Sequence, residues 1–186
     1  PVKPNLNLIK KEIQKKTVCV TGAGGSIGSE ICKQVIKFNP EALVIVDISE
    51  YALYTIQQEI ININPEIKLY TILGNMVEIS FMEDLFKRIK INIIFHAAAY
   101  KHVPLVEENP FQGIYNNVYS TLNLCNIAQR NNIDHLLLIS SDKAVRPTNF
   151  MGASKRIAEL IFQAYSSKSK KTKYCIVRFG NVLGSS

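Results

Sequence analysis

Apolar and polar positions along this chain follow two alternating periods. Short runs of β-branched and aliphatic residues occupy 17–20, 42–46, 67–73, 91–96, 136–140 and 174–178. Nearly continuous apolar runs of that length are what strands covered on both faces require. Between them, apolar residues recur every three or four positions, as Ile27, Ile31, Val35 and Phe38 do, which predicts helices over 27–38, 50–63, 79–89, 111–129 and 149–165. Pro40 and Pro65 stop the first two, and the segment through Pro104 and Pro110 reads as a loop. Strict alternation of strand and helix predicts an α/β fold, a doubly wound parallel sheet with strand order 3-2-1-4-5-6. Residues 1–16 form a lead-in with a short amphipathic helix over 8–13, and 17–186 form the domain.

Composition narrows the class. A chain of 186 residues, 47% hydrophobic and 20% charged, is one globular domain with a core of its own. No apolar run reaches the length of about 18 residues that a membrane helix needs. Cys19, Cys32, Cys125 and Cys175 are scattered, with neither a CxxC pair nor histidines at metal-ligand spacing, so they read as reduced thiols and no metal is expected. The net charge of +7 gathers at Lys3, Lys10, Lys11, Lys15 and Lys16 and again at Lys168, Lys170, Lys171 and Lys173. Neither cluster is interleaved with aromatics or set in a nucleic-acid module, so both read as solvated surface and no nucleic-acid partner is expected. A basic start also suits an anionic membrane face, and a positive field favours an anionic nucleotide substrate.

The first strand runs into Thr21-Gly22-Ala23-Gly24-Gly25-Ser26-Ile27-Gly28, a helix follows, and Asp47 closes the second strand. In that context the glycine motif is the fingerprint of a dinucleotide-binding Rossmann unit. Gly22, Gly25 and Gly28 let the backbone approach a pyrophosphate, and Ser26 and Ile27 open the helix whose free N–H groups face it. Asp47 can accept from both adenosine ribose hydroxyls and would repel a 2′-phosphate, which favours NAD over NADP. Asn75 and Met76 follow the third strand, where an adenine would sit. Ala97, Ala98 and Ala99 follow the fourth, where small side chains suit a cofactor lying close to the backbone; close packing accounts for them equally well.

The fifth strand ends in Ser140-Ser141-Asp142-Lys143, at the edge where such sheets bind ligands. An adjacent carboxyl and amine make an acid–base pair, although an isolated Asp-Lys dipeptide is ordinarily a surface ion pair. Pro147-Thr148-Asn149 opens the next helix, on which Met151 and Lys155 share a face. On that face Lys155 can hold the nicotinamide ribose.

At these residues the chain resembles a known family. Thr21-Gly-x-x-Gly25-x-x-Gly28 matches the extended short-chain dehydrogenase/reductases. Residues 20–30, 95–104 (FHAAAYKHVP), 139–156 (ISSDKAVRPTNFMGASKR) and 178–186 (RFGNVLGSS) together resemble the UDP-N-acetylglucosamine 4,6-dehydratases of bacterial surface-glycan and flagellin-glycan synthesis. The resemblance runs from about Lys16 onward, and residues 139–156 are its most specific part. It implies that NAD⁺ takes hydride from sugar C4 and returns it to C6, with Lys143 as the base at C5, Asp142 as the acid for the departing C6 hydroxyl, and Ser141 bonded to the 4-oxygen. It implies substrate contacts from Lys101, His102 and Asn181, for each of which a plain loop role is the competing reading. It adds Ser49 and Asn117 to the cofactor set.

The family usually carries Tyr-x-x-x-Lys on this helix, and here Met151 stands in the tyrosine's place. A thioether cannot exchange protons, so the base for O4 is unassigned. Methionine at this position is similar to the long, membrane-anchored branch of these dehydratases. That likeness implies a longer cytoplasmic-facing parent on the inner membrane, a substrate lobe beyond Ser186, inactivity of the present piece without that lobe, and a homo-oligomer. Ser120 replaces a common glycine, and only a packing effect is expected from it. Two other readings compete: a nucleotide-sugar 4-epimerase, which needs the missing tyrosine, and a non-catalytic NAD-binding module, which has no use for Asp142, Lys143 and Lys155.

Overall fold

The computed structural model of the protein describes residues 4–180. In chain order the elements are α1 (Leu6–Ile13), β1 (Thr17–Thr21), α2 (Ser26–Ile36), β2 (Ala42–Asp47), α3 (Glu50–Ile63), β3 (Leu69–Leu73), α4 (Ile79–Arg88) and β4 (Ile93–His96). The second half contains α5 (Val103–Glu108), α6 (Pro110–Ile114), a π-helical turn (Tyr115–Tyr119), α7 (Ser120–Asn131), β5 (His135–Ser141), a 3₁₀ turn (Asp142–Ala144), α8 (Phe150–Lys168) and β6 (Lys173–Phe179). The strands form one parallel sheet in the order β3-β2-β1-β4-β5-β6, as the alternation predicts. The fold is a Rossmann fold.

The two faces of the sheet explain the unbroken apolar strands. Val18, Val20, Leu43, Ile45 and Ile93 meet Cys32, Val35 and Ile36 of α2 and Leu53, Ile56 and Ile60 of α3. The alternate residues Cys19, Val44, Val46, Ile94, Leu136 and Leu138 meet α4, α7 and α8 on the other face. The central strands are therefore covered on both faces, and no position on β1 is left for a solvated side chain, while the edge strands β3 and β6 are partly exposed. The lead-in helix α1 buries Ile13 in the first of these clusters, and Lys16 is ion-paired to Asp134 ahead of β5.

Two elements differ from the sequence expectation for one reason. The loop expected between residues 96 and 111 contains α5, and the helix expected over 111–129 is divided into α6, the π turn and α7. Pro104 lies in the first turn of α5 and Pro110 in the first turn of α6. There the missing proline N–H costs nothing, so each proline starts a helix instead of breaking one. β3 begins at Leu69 because Ile67 N–H turns back to the Asn64 carbonyl (3.3 Å). No helix among the described residues is long and apolar enough to cross a membrane.

Candidate functional site

Strand order reverses between β1 and β4, and a cleft of about 720 Å³ opens at their carboxyl ends. That is where open α/β sheets hold ligands. Gly22 follows β1 with φ +65°, and a Cβ on it would lie 2.6 Å from the Ala98 backbone. A Cβ on Gly28 would lie 2.0 Å from the Gly22 carbonyl oxygen, so α2 can start this close to β1 only with glycine at that position. Gly25 precedes α2 and no side chain caps the helix. The opening turn of α2 therefore presents its donors and positive dipole end to the cleft, as a pyrophosphate requires.

Asp47 is fixed by two backbone donors. Its Oδ2 accepts from Gly24 N–H (2.9 Å) and its Oδ1 from Ser49 N–H (2.9 Å). Each carboxylate oxygen keeps a second acceptor position. Asn75 Oδ1 accepts from Val77 N–H (3.0 Å), a local turn that fixes the loop beneath the expected adenine. Gly22, Gly25, Ser26, Ile27, Gly28, Asp47, Asn75, Met76 and Ala97 to Ala99 all line this half of the cleft. Ser49 does not: its hydroxyl caps α3 by accepting from Ala52 N–H (3.3 Å).

The other half is built on β5 and α8. β5 outruns β4, whose last residue His96 pairs with Leu138, so Ile139, Ser140 and Ser141 have no strand neighbour on that side. The Asn149 side chain starts α8 by accepting from Gly152 N–H (2.7 Å). The buried stripe of α8 then places Met151, Lys155 and Glu159 on successive turns against β5. Lys155 Nζ donates to the free-edge carbonyl of Ile139 (2.7 Å). Burial pushes the Lys155 ammonium down to about 8, against a smaller opposing pull from Glu159.

Beneath Lys155, Glu159 is fully buried and receives four hydrogen bonds from three residues. Arg178 gives it Nε at 2.8 Å and an Nη at 2.7 Å, Ser140 Oγ donates at 2.7 Å, and Arg156 adds 3.0 Å. Burial alone would raise this carboxyl, but those donors outweigh it and hold the group at about 2. The cluster joins α8 to the ends of β5 and β6, immediately under Ser141 and Phe179 of the cleft wall.

Ser141, Lys143, Lys155, Lys101 and His102 line this half together with Met151. Asp142 is exposed and stands outside the lining. Its carboxylate accepts from Ser141 Oγ (3.0 Å) and lies 3.4 Å from Lys143 Nζ. The Ser141 hydroxyl first, and Lys143 next, hold it below the ordinary carboxylate range. Asn117 is buried below the floor: it accepts from Tyr100 N–H (2.7 Å) and donates to the Tyr100 carbonyl (3.0 Å) and Ser154 Oγ (2.9 Å). It braces the loop that carries Lys101 and His102 against α8, and it does not line the cleft. Asn181 lies outside the described residues.

Ser120 does more than fill space. Its hydroxyl donates to the Asn116 carbonyl (2.5 Å) and lies 3.4 Å from His96 Nε2, while His96 Nδ1 is 2.7 Å from Thr21 Oγ1. Burial, with the Lys155 charge nearby, pushes His96 down to about 3, so its ring is neutral. The Glu159 cluster and the Asn117 brace were not evident in the sequence. A glutamate four residues after Lys155 was visible, but no spacing rule pairs it with Arg178 on a later strand.

Comparison with known proteins supplies the family. The family model described as "polysaccharide biosynthesis protein" matches residues 18–186. The chain is 42% identical over its full length to the capsular polysaccharide biosynthesis protein CapD of Staphylococcus aureus, of which it covers 31%. It is 34% identical over 178 residues to a UDP-glucose 4-epimerase of Rickettsia bellii, covering 91% of this chain and 50% of that one. The solved structure of Pen from Bacillus thuringiensis superposes with a TM-score of 0.85 at 32% identity, over 94% of this chain and 54% of that one. The chain thus spans 31% and 50% of the length of the two curated relatives named here.

Proposed function

The chain belongs to the polysaccharide biosynthesis protein family, and on that premise we propose that it is the NAD-binding catalytic lobe of a nucleotide-sugar 4,6-dehydratase acting on UDP-N-acetylglucosamine. The observation that carries the reading is the Ser141-Asp142-Lys143 turn at the free end of β5, on a cleft where Met151 stands in place of a phenol. Bound NAD would supply a hydride acceptor at sugar C4 and a hydride donor at C6. The α2 N-terminus would hold its pyrophosphate, Asp47 its adenosine ribose and Lys155 its nicotinamide ribose.

The chain's own residues would do the proton work. Lys143 takes the C5 proton once a C4 ketone has acidified it. Asp142 gives a proton to the departing C6 hydroxyl, which requires its carboxylate to take up the proton of the neighbouring Lys143 ammonium, leaving that amine free as the base, and to leave Ser141 and turn to the substrate. Catalytic hydrogen bonds commonly tighten only when substrate is present. Ser141 bonds the 4-oxygen, and Lys101 and His102 contact the sugar nucleotide from the loop that Asn117 braces.

The second reading is a 4-epimerase, favoured by the likeness to the Rickettsia bellii protein and by the exposed position of Asp142. An epimerase has no elimination to perform and needs a proton acceptor where Met151 stands. The deciding experiment incubates the full-length protein with UDP-N-acetylglucosamine and follows mass. Loss of one water, abolished in both Lys143→Ala and Asp142→Asn, is the expected result. An unchanged mass with epimerised sugar transfers the assignment to the epimerase, and an unchanged sugar to a binding module.

A further inference from the structure

The first turn of α8 carries a glycine that helix propensity does not explain. Alanine is the better helix former, and a glycine inside a helix is a loss unless another group needs the space. Gly152 is buried, and its N–H is engaged by the Asn149 side chain (2.7 Å). The space of the missing side chain is taken by the backbone of the turn that follows β5. A Cβ on Gly152 would lie 3.1 Å from the carbonyl carbon of Lys143 and closer still to its oxygen. The peptide between Lys143 and Ala144 therefore rests on α8 where α8 has no side chain.

That peptide belongs to the turn that carries Asp142 and Lys143. The Ser141 hydroxyl accepts from Lys143 N–H (3.2 Å), Val145 N–H donates to the Asp142 carbonyl (2.9 Å), and Ala144 is buried. Lys143 Nζ and the Asp142 carboxylate, 3.4 Å apart, ride on this turn together. Upstream, Ser141 is fixed in β5 by its pairing with Phe179. Downstream, residues 145–148 are exposed. The turn thus has one firm end and one loose end, and its contact with α8 seats it between them.

Helix α8 is held more firmly than the turn. Asn149 caps it, and the Glu107 carboxylate accepts from Phe150 N–H (2.5 Å). Met151 and Lys155 are buried, and Ser154 is bonded to Asn117 (2.9 Å). A side chain at position 152 would therefore push the turn back, by about 1 Å, before ordinary van der Waals contact was restored. Misplacing a reacting group by about that much can cost about a hundredfold in rate. We infer that Gly152 is a positioning residue: by lacking a side chain it seats the Lys143 peptide on α8, and so sets where the Asp142–Lys143 pair stands over Met151 and Lys155. The inference rests on the dehydratase reading, in which Lys143 removes the C5 proton.

The test is Gly152→Ala in the full-length protein, beside wild type and Lys143→Ala. NADH binding is read by fluorescence, water loss from UDP-N-acetylglucosamine by mass, and reduced nicotinamide during turnover by its near-ultraviolet absorbance. Gly152→Ala should bind NADH within about twofold of wild type. It should keep KM and lose water about a hundredfold more slowly. Reduced nicotinamide should stand higher than in wild type, because hydride leaves C4 before Lys143 acts. Adding Gly152→Ala to Lys143→Ala should raise it no further, since the glycine acts through that lysine. A glycine needed for folding alone would lower NADH binding and turnover together and would add its loss to that of Lys143→Ala. The inference is overturned by a wild-type kcat in Gly152→Ala, by loss of NADH binding in that variant, or by additive effects in the double variant. Absence of water loss from wild type overturns the dehydratase reading and this inference with it, whereas unimpaired water loss in Gly152→Ala overturns the inference alone.

Discussion

Lys155 and Gly22 show what single residues contribute here. Lys155 lies under the cleft as a buried ammonium whose pKa is pushed down to about 8 from 10.5. Between those values the unfolded chain holds a proton that the folded chain has released, so stability rises with pH across that window. Burial of the charge costs the fold about 3 kcal/mol at neutral pH, less what the Ile139 bond returns. Lys155→Met should therefore show a flatter stability curve than wild type between pH 8 and 10.5, read by urea unfolding. A parallel slope in the two proteins would mean that Lys155 is solvated. At Gly22 the constraint is steric: alanine would need a positive φ and would press on Ala98. Gly22→Ala should lose about 1–3 kcal/mol and NAD binding together. Gly25→Ala, whose Cβ would meet the Gly22 carbonyl oxygen at 3.3 Å, should keep the fold, as thermal melts and NAD titration can check.

At the scale of elements, Glu159 joins α8, β5 and β6 through one buried carboxylate. Removing its charge strands Arg178 and Arg156 over a buried site, so Glu159→Gln should destabilise by about 3 kcal/mol. The pH sign follows from the depressed pKa of about 2 against 4.5. Such a carboxylate contributes its stability above its unfolded value and loses it as pH falls through the folded one. The gap between wild type and Glu159→Gln should be full at pH 7 and shrink below about pH 4.5, measured by chemical unfolding at each pH. A gap that widens in acid would reject the account. The elements themselves were largely readable, because strand and helix periods differ sharply and Asn149 announced α8. The prolines were harder to place. Pro104 and Pro110 are compatible both with breaking a helix and with starting one, and only the packing of α5 and α6 on α8 selects the second, as in the Glu107 carboxylate accepting from Phe150 N–H (2.5 Å).

For the whole molecule, the doubly wound sheet sets the cleft at the carboxyl ends of its strands and exposed lysines at their amino ends. The core that holds those ends apart is tightly occupied. Phe162 is fully buried among α7, β5 and β6 and meets the Tyr174 ring edge-on at 5.1 Å. Phe162→Ala should cost about 3–5 kcal/mol and lower the melting temperature by about 10 °C. Phe111, 86% exposed, should tolerate alanine within about 0.5 kcal/mol. Equal melting temperatures for the two variants would contradict the described core.

The sequence by itself determined the fold class, the strand order and most of the residues that line one half of the cleft. Those features are written in local patterns: apolar runs of strand length, a glycine loop between strand and helix, and an acid closing the next strand. Each acts through backbone geometry within a few tens of residues. The tertiary structure decided the rest. It placed Asn117 as a brace and Ser49 as a helix cap, turned Asp142 outward, surrounded Glu159 with Arg178, Arg156 and Ser140, and brought two distant lysine clusters to one end. Such relations depend on which strands lie side by side and how far each one runs. They arise from packing in three dimensions, which no spacing along the chain records.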